Sequence, residues 1–255
     1  MASGEAVILG SGTSNGVPML GIRYSDAFLA NPKNHRTRSS CLLKGPTGNF
    51  LIDCTPELRL QLTREKIFSV QEVLITHTHA DHVMGMDDLR SFCMVEERAL
   101  PVYTLPRYQE DIKRIFPYAF GEVPTGVFVP RFDLYDVPEV LESCGLSINI
   151  FEVQHGKVPC LGVRVNDFAY VTDVNFIPNK VKNQLKNLEI LVIDAVRHEP
   201  HPNHFHFEAT MQAIAEIGPK MAYLTHLSHE YDHDIYEEKL PSNVRLAYDG
   251  LKIQI

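Results

Sequence analysis

Three histidines and one aspartate occupy the six positions from 77 to 82 of this 255-residue chain: His77, His79, Asp81 and His82. They follow the apolar residues 73–75, which predict a buried strand. Alternate residues of an extended chain point the same way, so His77 and His79 should leave the strand side by side, with Asp81 and His82 following round a turn. Imidazole and carboxylate groups are ligands that zinc and manganese accept. One ion would not take all four and keep an open position, so the pattern predicts two divalent metal ions.

The segment from His77 to His82 resembles the HxHxDH signature of the metallo-β-lactamase superfamily. Members of that superfamily supply a further histidine, a bridging aspartate and a last histidine, each at the end of a later strand. Three such residues occur here in that order, and each follows a predicted strand: His155, Asp173 and His226. The resemblance implies one metal ion at His77, His79 and His155, a second at Asp81, His82 and His226, and Asp173 as the bridge.

Predicted strands and helices intermix along the chain, and the candidate ligands lie at strand ends. Nine apolar runs predict strands, at residues 6–9, 49–53, 73–76, 146–153, 160–165, 168–172, 190–194, 221–225 and 244–247. Helical patterns cover residues 56–67, 107–116 and 207–217, and Asn166-Asp167 predicts a two-residue hairpin turn. Ligands from position 77 to 226 must meet in one site, which predicts a single domain over residues 1–255. The resemblance implies an α/β fold: an αββα sandwich of two mixed β-sheets with helices outside.

Composition narrows the possible partners. A net charge of −8 argues against nucleic acid as the main partner, because phosphate backbones are bound by clustered lysine and arginine. A small anionic substrate remains compatible, since metal ions and a few local bases dominate at short range. We expect a cytoplasmic protein with no membrane partner, because the sequence lacks a long apolar stretch and a secretory signal. The sequence is also compatible with a homodimer. The five cysteines are widely spaced and contain no CxxC pair, which predicts reduced core residues.

A more specific resemblance lies in the second half of the chain. Asn203-His204, followed by a helix and then residues 224–229 (LTHLSH), is similar to the cyclic phosphodiesterases of bacterial phosphonate breakdown. In that family the histidine after the asparagine is proposed as a proton donor, which maps onto His204, with His206 as its rival. The family also carries GVPxxGCxC, whose cysteines bind a separate structural zinc with a histidine. The corresponding residues 16–25 contain no cysteine, so we expect no third metal, and His229 is left without those partners.

Three other features are candidates for supporting roles. The glycine-rich residues 10–18 lack both the GK[ST] ending of a phosphate loop and the third glycine of GxGxxG, yet such a turn can border an active site. Residues 34–40 form a basic segment, expected mainly as an exposed loop, although arginine there could contact a phosphate. Asp53 and Asp194 end predicted strands and are expected to orient ligand histidines.

The expected chemistry is hydrolysis. Metal ions lower the pKa of bound water to about 7, so we expect attack by a metal-bridging hydroxide, with Asp81 both binding metal and orienting or accepting a proton from the hydroxide. Asp81 and Asp173 favour phosphodiesters over β-lactams, and the resemblance favours a small cyclic phosphodiester such as a ribose 1,2-cyclic phosphate. Three alternatives remain: a tRNA 3′-processing endonuclease, a thioester or lactone hydrolase, and a non-catalytic metal-binding protein. The first needs an RNA-gripping arm, and the longest gap, residues 103–138, contains only four lysines and arginines.

Overall fold

The computed structural model describes residues 4–122 and 126–255, and over these ranges fourteen strands form two seven-stranded sheets. The first sheet contains β1 (Glu5–Gly10), β2 (Ser40–Gly45), β3 (Gly48–Ile52), β4 (Glu72–Leu74), β5 (Leu100–Thr104), β6 (Phe132–Asp136) and β14 (Leu251–Gln254). The second contains β7 (Val140–Ser143), β8 (Leu146–His155), β9 (Val158–Val165), β10 (Phe168–Val171), β11 (Ile190–Asp194), β12 (Met221–Thr225) and β13 (Val244–Leu246).

Both sheets are mixed in the same way. The strand orders are β14-β1-β2-β3-β4-β5-β6 and β13-β12-β11-β10-β9-β8-β7. In the first sheet the pairs from β14 to β3 are antiparallel and those from β3 to β6 are parallel. In the second sheet the pairs from β7 to β10 are antiparallel and those from β10 to β13 are parallel. The two sheets therefore share one topology.

Eight α-helices occur in the described ranges, on the outer faces or in the loops between strands. They are α1 (Asp26–Ala30), α2 (Leu58–Arg64), α3 (Ala80–Val83), α4 (Arg90–Val95), α5 (Pro106–Ile115), α6 (Asn179–Gln184), α7 (Phe207–Ile217) and α8 (His233–Glu237). Helix α7 ends at Gly218, whose φ of 75° is the left-handed conformation that glycine adopts without steric cost. No helix among the described residues is long and apolar enough to cross a membrane.

Buried side chains form three apolar layers, which makes the fold the expected αββα sandwich. One layer lies between the two sheets and includes Ile8, Phe50, Val163 and Tyr170. A second packs the other face of the first sheet against α2, α4 and α5, and a third packs the second sheet against α6 and α7. Strands at the centre of such a sandwich are covered on both faces, and all four residues of β10 are buried.

All nine predicted strands and three predicted helices overlap elements of the structure. The turn at Asn166-Asp167 joins β9 to β10 as expected, and Asn166 has a φ of 50°. Five strands were not predicted: β2, β5, β6, β7 and β14. The expectation of an exposed loop at residues 34–40 is wrong for its centre, because Arg36 and Ser39 are buried. The five cysteines are free, and four of them are buried.

The parallel strands end at one edge of the sandwich, and their exit loops meet there. Asp53 follows β3, the HxHxDH segment follows β4, and the loops after β10, β11 and β12 leave the second sheet on the same side. A hydrogen bond from the Leu161 amide to the Thr76 carbonyl (3.2 Å) joins the two sheets at this edge. The topology therefore brings residues separated by more than one hundred positions into one cluster.

Candidate metal centre

Three residues at this cluster have backbone conformations that residues other than glycine rarely adopt. Asp53, Asp173 and His226 have φ values of 65°, 47° and 57°. A left-handed conformation in such residues costs roughly 1 kcal/mol or more. His79 precedes α3, which carries Asp81 and His82 on its single turn. The three left-handed residues are thus two ligand-type residues, Asp173 and His226, and Asp53, which is hydrogen-bonded to a third, His82.

One group of ligand-type atoms comes from His77, His79, His155 and Asp173. His77 Nε2 lies 2.9 Å from His79 Nδ1, and His155 Nε2 lies 3.2 Å from the same His79 atom. Asp173 Oδ2 lies 3.8 Å from both Nε2 atoms. Donors around a tetrahedral zinc ion with 2.0–2.1 Å bonds are about 3.3 Å apart, so this spacing fits one divalent ion.

The second group comes from Asp81, His82, His226 and the same Asp173. His82 Nε2 lies 3.3 Å from Asp81 Oδ2 and 3.2 Å from Asp173 Oδ1, and His226 Nδ1 lies 3.2 Å from Asp173 Oδ1. Asp173 therefore presents one carboxylate oxygen to each group, the arrangement expected of a bridging ligand. Within the described ranges these are the two groups of three or more such residues whose donor atoms converge.

Burial of the two groups is uneven. His77, His82, His155, Asp173 and His226 are at most 2% exposed, and His226 Nε2 is buried without a hydrogen-bond partner in the described structure. A buried polar atom without a partner is costly unless a ligand satisfies it. His79, by contrast, is exposed. The cluster thus opens to solvent on the side of His79, which gives a substrate a route to it.

The electrostatics of the cluster suit cation binding. Burial lowers the pKa of His77 well below its usual range and that of His155 to about 4, so both imidazoles are neutral at pH 7 and able to bind metal. Although burial opposes it, the charges of Asp173, Asp81 and Asp53 raise the pKa of His82 well above its usual value. Although burial acts to raise the pKa of Asp173, neighbouring histidines hold it well below its usual range. The carboxylates around His82 therefore favour a positive charge there.

Outer hydrogen bonds fix the orientation of the histidine rings. Asp53 Oδ2 accepts the Nδ1 hydrogen of His82 at 2.7 Å, and the Asn203 carbonyl oxygen accepts that of His155 at 2.8 Å. Such outer partners hold a ring in the tautomer that binds metal. Asp53 therefore lies where its predicted role, orienting a ligand histidine, requires it. Asp194 acts on a different histidine, because its Oδ2 pairs with Nδ1 of His204 at 2.7 Å.

His204 packs against the ligand cluster. Its ring lies 4.5 Å from that of His155 and 4.8 Å from that of His226 between centroids, and its Nε2 is 3.9 Å from Asp173 Oδ2. Burial lowers the pKa of His204, but the charge and hydrogen bond of Asp194 outweigh this and raise it to about 9. The competing candidate, His206, stands immediately before α7, where its carbonyl oxygen accepts hydrogen bonds from Thr210. The structure thus places His204 at the cluster.

The glycine-rich loop borders the second group. Gly12 forms a β-bridge with Leu227, next to His226. Ser39 Oγ lies 3.2 Å from His226 Nδ1 and donates to the Gly12 carbonyl oxygen at 3.0 Å. Ser39 belongs to the basic segment and is not among the residues that the sequence indicates, because the strand that follows it, β2, was not predicted. The loop is therefore part of the wall of the cluster.

Aromatic packing occupies the region that corresponds to the cysteine-bound zinc of the phosphonate-pathway enzymes. The Tyr24 ring stacks on Phe28 at 4.8 Å and meets His229 edge to face at 6.3 Å. The Tyr24 hydroxyl oxygen accepts the Met19 amide hydrogen at 2.8 Å. These contacts can tie the loop down without a metal, and the absence of a third ion stays a prediction.

The model of the β-lactamase superfamily domain matches residues 48–227, and the chain belongs to that superfamily. Over 99% of its length it is similar to a crystal structure of a diphosphatase from the PhnP family, with 32% identity, a TM-score of 0.91 and 97% of that chain covered. The resemblance to the phosphonate-pathway enzymes and the αββα fold are thereby confirmed.

Curated relatives carry different names. An octanoyltransferase of Porphyromonas gingivalis is 34% identical over 97% of this chain and 51% of its own length. A ribonuclease Z of Rippkaea orientalis is 26% identical over 71% of this chain and 57% of its own length. The chain thus spans about half the length of the curated relatives it matches, and their activities describe those longer proteins.

Proposed function

We propose that the protein is a dinuclear-metal phosphohydrolase acting on a small anionic phosphodiester, such as a ribose 1,2-cyclic phosphate, rather than on nucleic acid. The observation that carries the proposal is the shared carboxylate: Asp173 Oδ1 and Oδ2 face two different groups of imidazoles and carboxylates. Two ions held a few ångströms apart are a recurrent device for phosphoryl-ester hydrolysis. The similarity to a PhnP-family diphosphatase supports the same class of bond.

Divalent ions bound here would supply a nucleophile at neutral pH and neutralise charge on the phosphate. The residues of the chain hold and orient the rest. Asp81, 8% exposed and next to His82, belongs to the second ligand group and would orient an incoming nucleophile. Although burial lowers the pKa of His204, the charge and hydrogen bond of Asp194 raise it to about 9, which suits its Nε2 to donate a proton to the departing oxygen. No protein nucleophile is required.

A diphosphate is a second candidate substrate, favoured by the name of the PhnP-family relative. Its hydrolysis would use the same groups, because it also breaks a phosphorus–oxygen bond and leaves an oxygen that takes up a proton. Cleavage of a large RNA is less well supported: the chain carries a net charge of −8, which disfavours a long phosphate backbone.

The test is a substrate panel with the metal-loaded protein and His204→Ala. We expect turnover of alkyl and cyclic phosphodiesters and little turnover of thioesters or lactones. His204→Ala should keep its ions and lose roughly 10²-fold or more in kcat, because that is the usual contribution of a positioned proton donor. The loss should shrink on bis(p-nitrophenyl) phosphate, whose leaving group needs little protonation. Turnover confined to thioesters or lactones would refute the proposal, and loss of metal in the variant would make His204 a ligand.

A further inference from the structure

Thr76, the residue immediately before His77, is fully buried between two parts of the candidate metal centre. Its hydroxyl oxygen lies 2.8 Å from Asp53 Oδ2 and 3.1 Å from His77 Nδ1. These two contacts place one hydroxyl between a buried carboxylate and a ligand-type imidazole. A hydroxyl can donate one hydrogen bond while it accepts another, so Thr76 can serve both neighbours at once.

The direction of these hydrogen bonds follows from the chemistry of the histidine. His77 Nε2 faces the first ligand group, 2.9 Å from His79 Nδ1, so Nδ1 must carry the hydrogen whenever Nε2 binds a metal ion. That N–H needs an acceptor. Cys160 Sγ, at 3.7 Å, is a weak one, whereas the Thr76 oxygen is close and has free lone pairs. The Thr76 hydrogen is then directed to Asp53.

Asp53 also holds the second ligand group. The same Oδ2 atom accepts the Nδ1 hydrogen of His82 at 2.7 Å, and Oδ1 accepts the Thr76 amide hydrogen at 2.8 Å. Asp53 is fully buried, so these donors replace the water that a carboxylate would otherwise require. One carboxylate thereby reaches a histidine of each group, His82 directly and His77 through a hydroxyl.

We propose that Thr76 is a positioning residue that ties His77 to Asp53, so that both metal sites share one buried carboxylate anchor. The inference rests on the proposed metal centre but concerns the chain's own hydrogen bonds. Removing the Thr76 hydroxyl should leave His77 without a good acceptor on Nδ1, which frees its ring and lowers its basicity toward metal. His82 keeps its direct bond to Asp53, so the second site should lose less.

The chain supplies a matched control. Thr225 stands immediately before His226 as Thr76 stands before His77, and it is also fully buried. Its hydroxyl, however, has no hydrogen-bond partner in the part of the chain that the structure describes. Thr225→Val therefore makes the same chemical change beside a ligand without breaking a bond to it. Thr76→Ser keeps the hydroxyl and removes only a methyl group.

The experiment measures cobalt and zinc binding to the metal-free full chain by competition with a chelator, with elemental analysis after dialysis. We expect wild type, Thr76→Ser and Thr225→Val to bind two ions alike. Thr76→Val should lose roughly 10- to 100-fold in affinity for one ion and less for the other, whereas Asp53→Asn should weaken both. The electronic spectrum of the bound cobalt should change in Thr76→Val, because the ring orientation changes, and remain unaltered in Thr225→Val.

The outcomes separate this inference from the proposed function. Failure of the wild-type chain to bind divalent ions would reject the metal centre itself. If wild type binds two ions and Thr76→Val binds both with unchanged affinity, or loses both equally, the Thr76 connection is wrong. A general folding defect would lower the thermal stability of metal-free Thr76→Val well below that of metal-free Thr225→Val. In that case Thr76→Ser decides: if it binds both ions like wild type while Thr76→Val binds one ion weakly, the hydroxyl is responsible.

Discussion

Replacing Asp194 by Asn tests whether this carboxylate keeps His204 protonated. Asp194 Oδ2 pairs with His204 Nδ1 at 2.7 Å and accepts the Val174 amide hydrogen at 3.0 Å. Oδ1 has no hydrogen-bond partner in the described structure, so an amide nitrogen can take that position while the amide oxygen keeps both bonds. The substitution therefore removes charge with little change in shape.

The magnitude follows from the pKa. Burial lowers the pKa of His204, and the charge and hydrogen bond of Asp194 raise it to about 9 from the ordinary 6.5. Without that charge we expect the pKa to return toward 6.5 or below. At pH 8 the protonated fraction would then fall from about nine tenths to a few hundredths, a loss of roughly 30-fold in the active donor. Bound divalent ions repel the imidazolium in both proteins, so the difference between them is the quantity to measure.

The assay is kcat against pH for an alkyl phosphodiester with metal-saturated protein. A donor must be protonated, so activity falls as pH rises through its pKa, and Asp194→Asn should move this basic limb to lower pH. An aryl diester with a good leaving group serves as control, since its turnover depends little on the donor. A basic limb at the same pH in both proteins, with unchanged metal content, would refute the assigned role of the pair.

Two further substitutions test the bridging ligand of the metal centre and the pH dependence of the protein's free energy of unfolding. Asp173→Ala should lose both ions together, because each carboxylate oxygen faces one ligand group; loss of a single ion by elemental analysis would contradict the bridge. Burial, with Lys33 and Arg36 nearby, lowers the pKa of His233 to about 4, so the unfolded chain takes up its proton first as pH falls. The stability that the neutral His233 ring contributes is fully present above pH 6.5 and declines toward pH 4 by up to about 3 kcal/mol. In urea unfolding at these two pH values, His233→Gln should therefore lose less stability than wild type by about this amount, whereas exposed His35→Gln should show the full wild-type decline.

The sequence predicted the strands that lie in the interior of the sandwich better than those at its rim. Strands such as β10 and β11 are buried on both faces and therefore appear as continuous apolar runs. Three of the missed strands, β6, β7 and β14, are edge strands of their sheets. An edge strand faces solvent on one side and tolerates charge, as the FDLYD sequence of β6 illustrates. Their pairing depends on neighbours that are distant in the chain.

The burial of Arg36 shows where local sequence is misleading. Residues around it are polar and predict an exposed loop, yet Arg36 is 1% exposed. Its backbone pairs with Val17 through bonds of 2.7 and 2.8 Å, and the next residue, Thr37, donates its amide and hydroxyl hydrogens to Asp249 at 2.9 and 2.6 Å. Asp249 lies 212 positions further along the chain. Contacts of that separation leave no pattern in a short window of sequence.

The two sheets support the site through the same feature, an aspartate at the end of a parallel strand. Asp53 and Asp194 were therefore both identified from their positions at strand ends, although only Asp53 holds a ligand-type histidine. Asp53 follows β3 and accepts the amide hydrogen of Thr76, beyond the neighbouring parallel strand β4. Asp194 ends β11 and accepts the amide hydrogen of Val174, beyond the neighbouring parallel strand β10. Each carboxylate then fixes one imidazole at 2.7 Å. One sheet thus anchors a candidate metal ligand and the other the candidate proton donor, so both are held by rigid strand ends, as precise catalytic geometry requires.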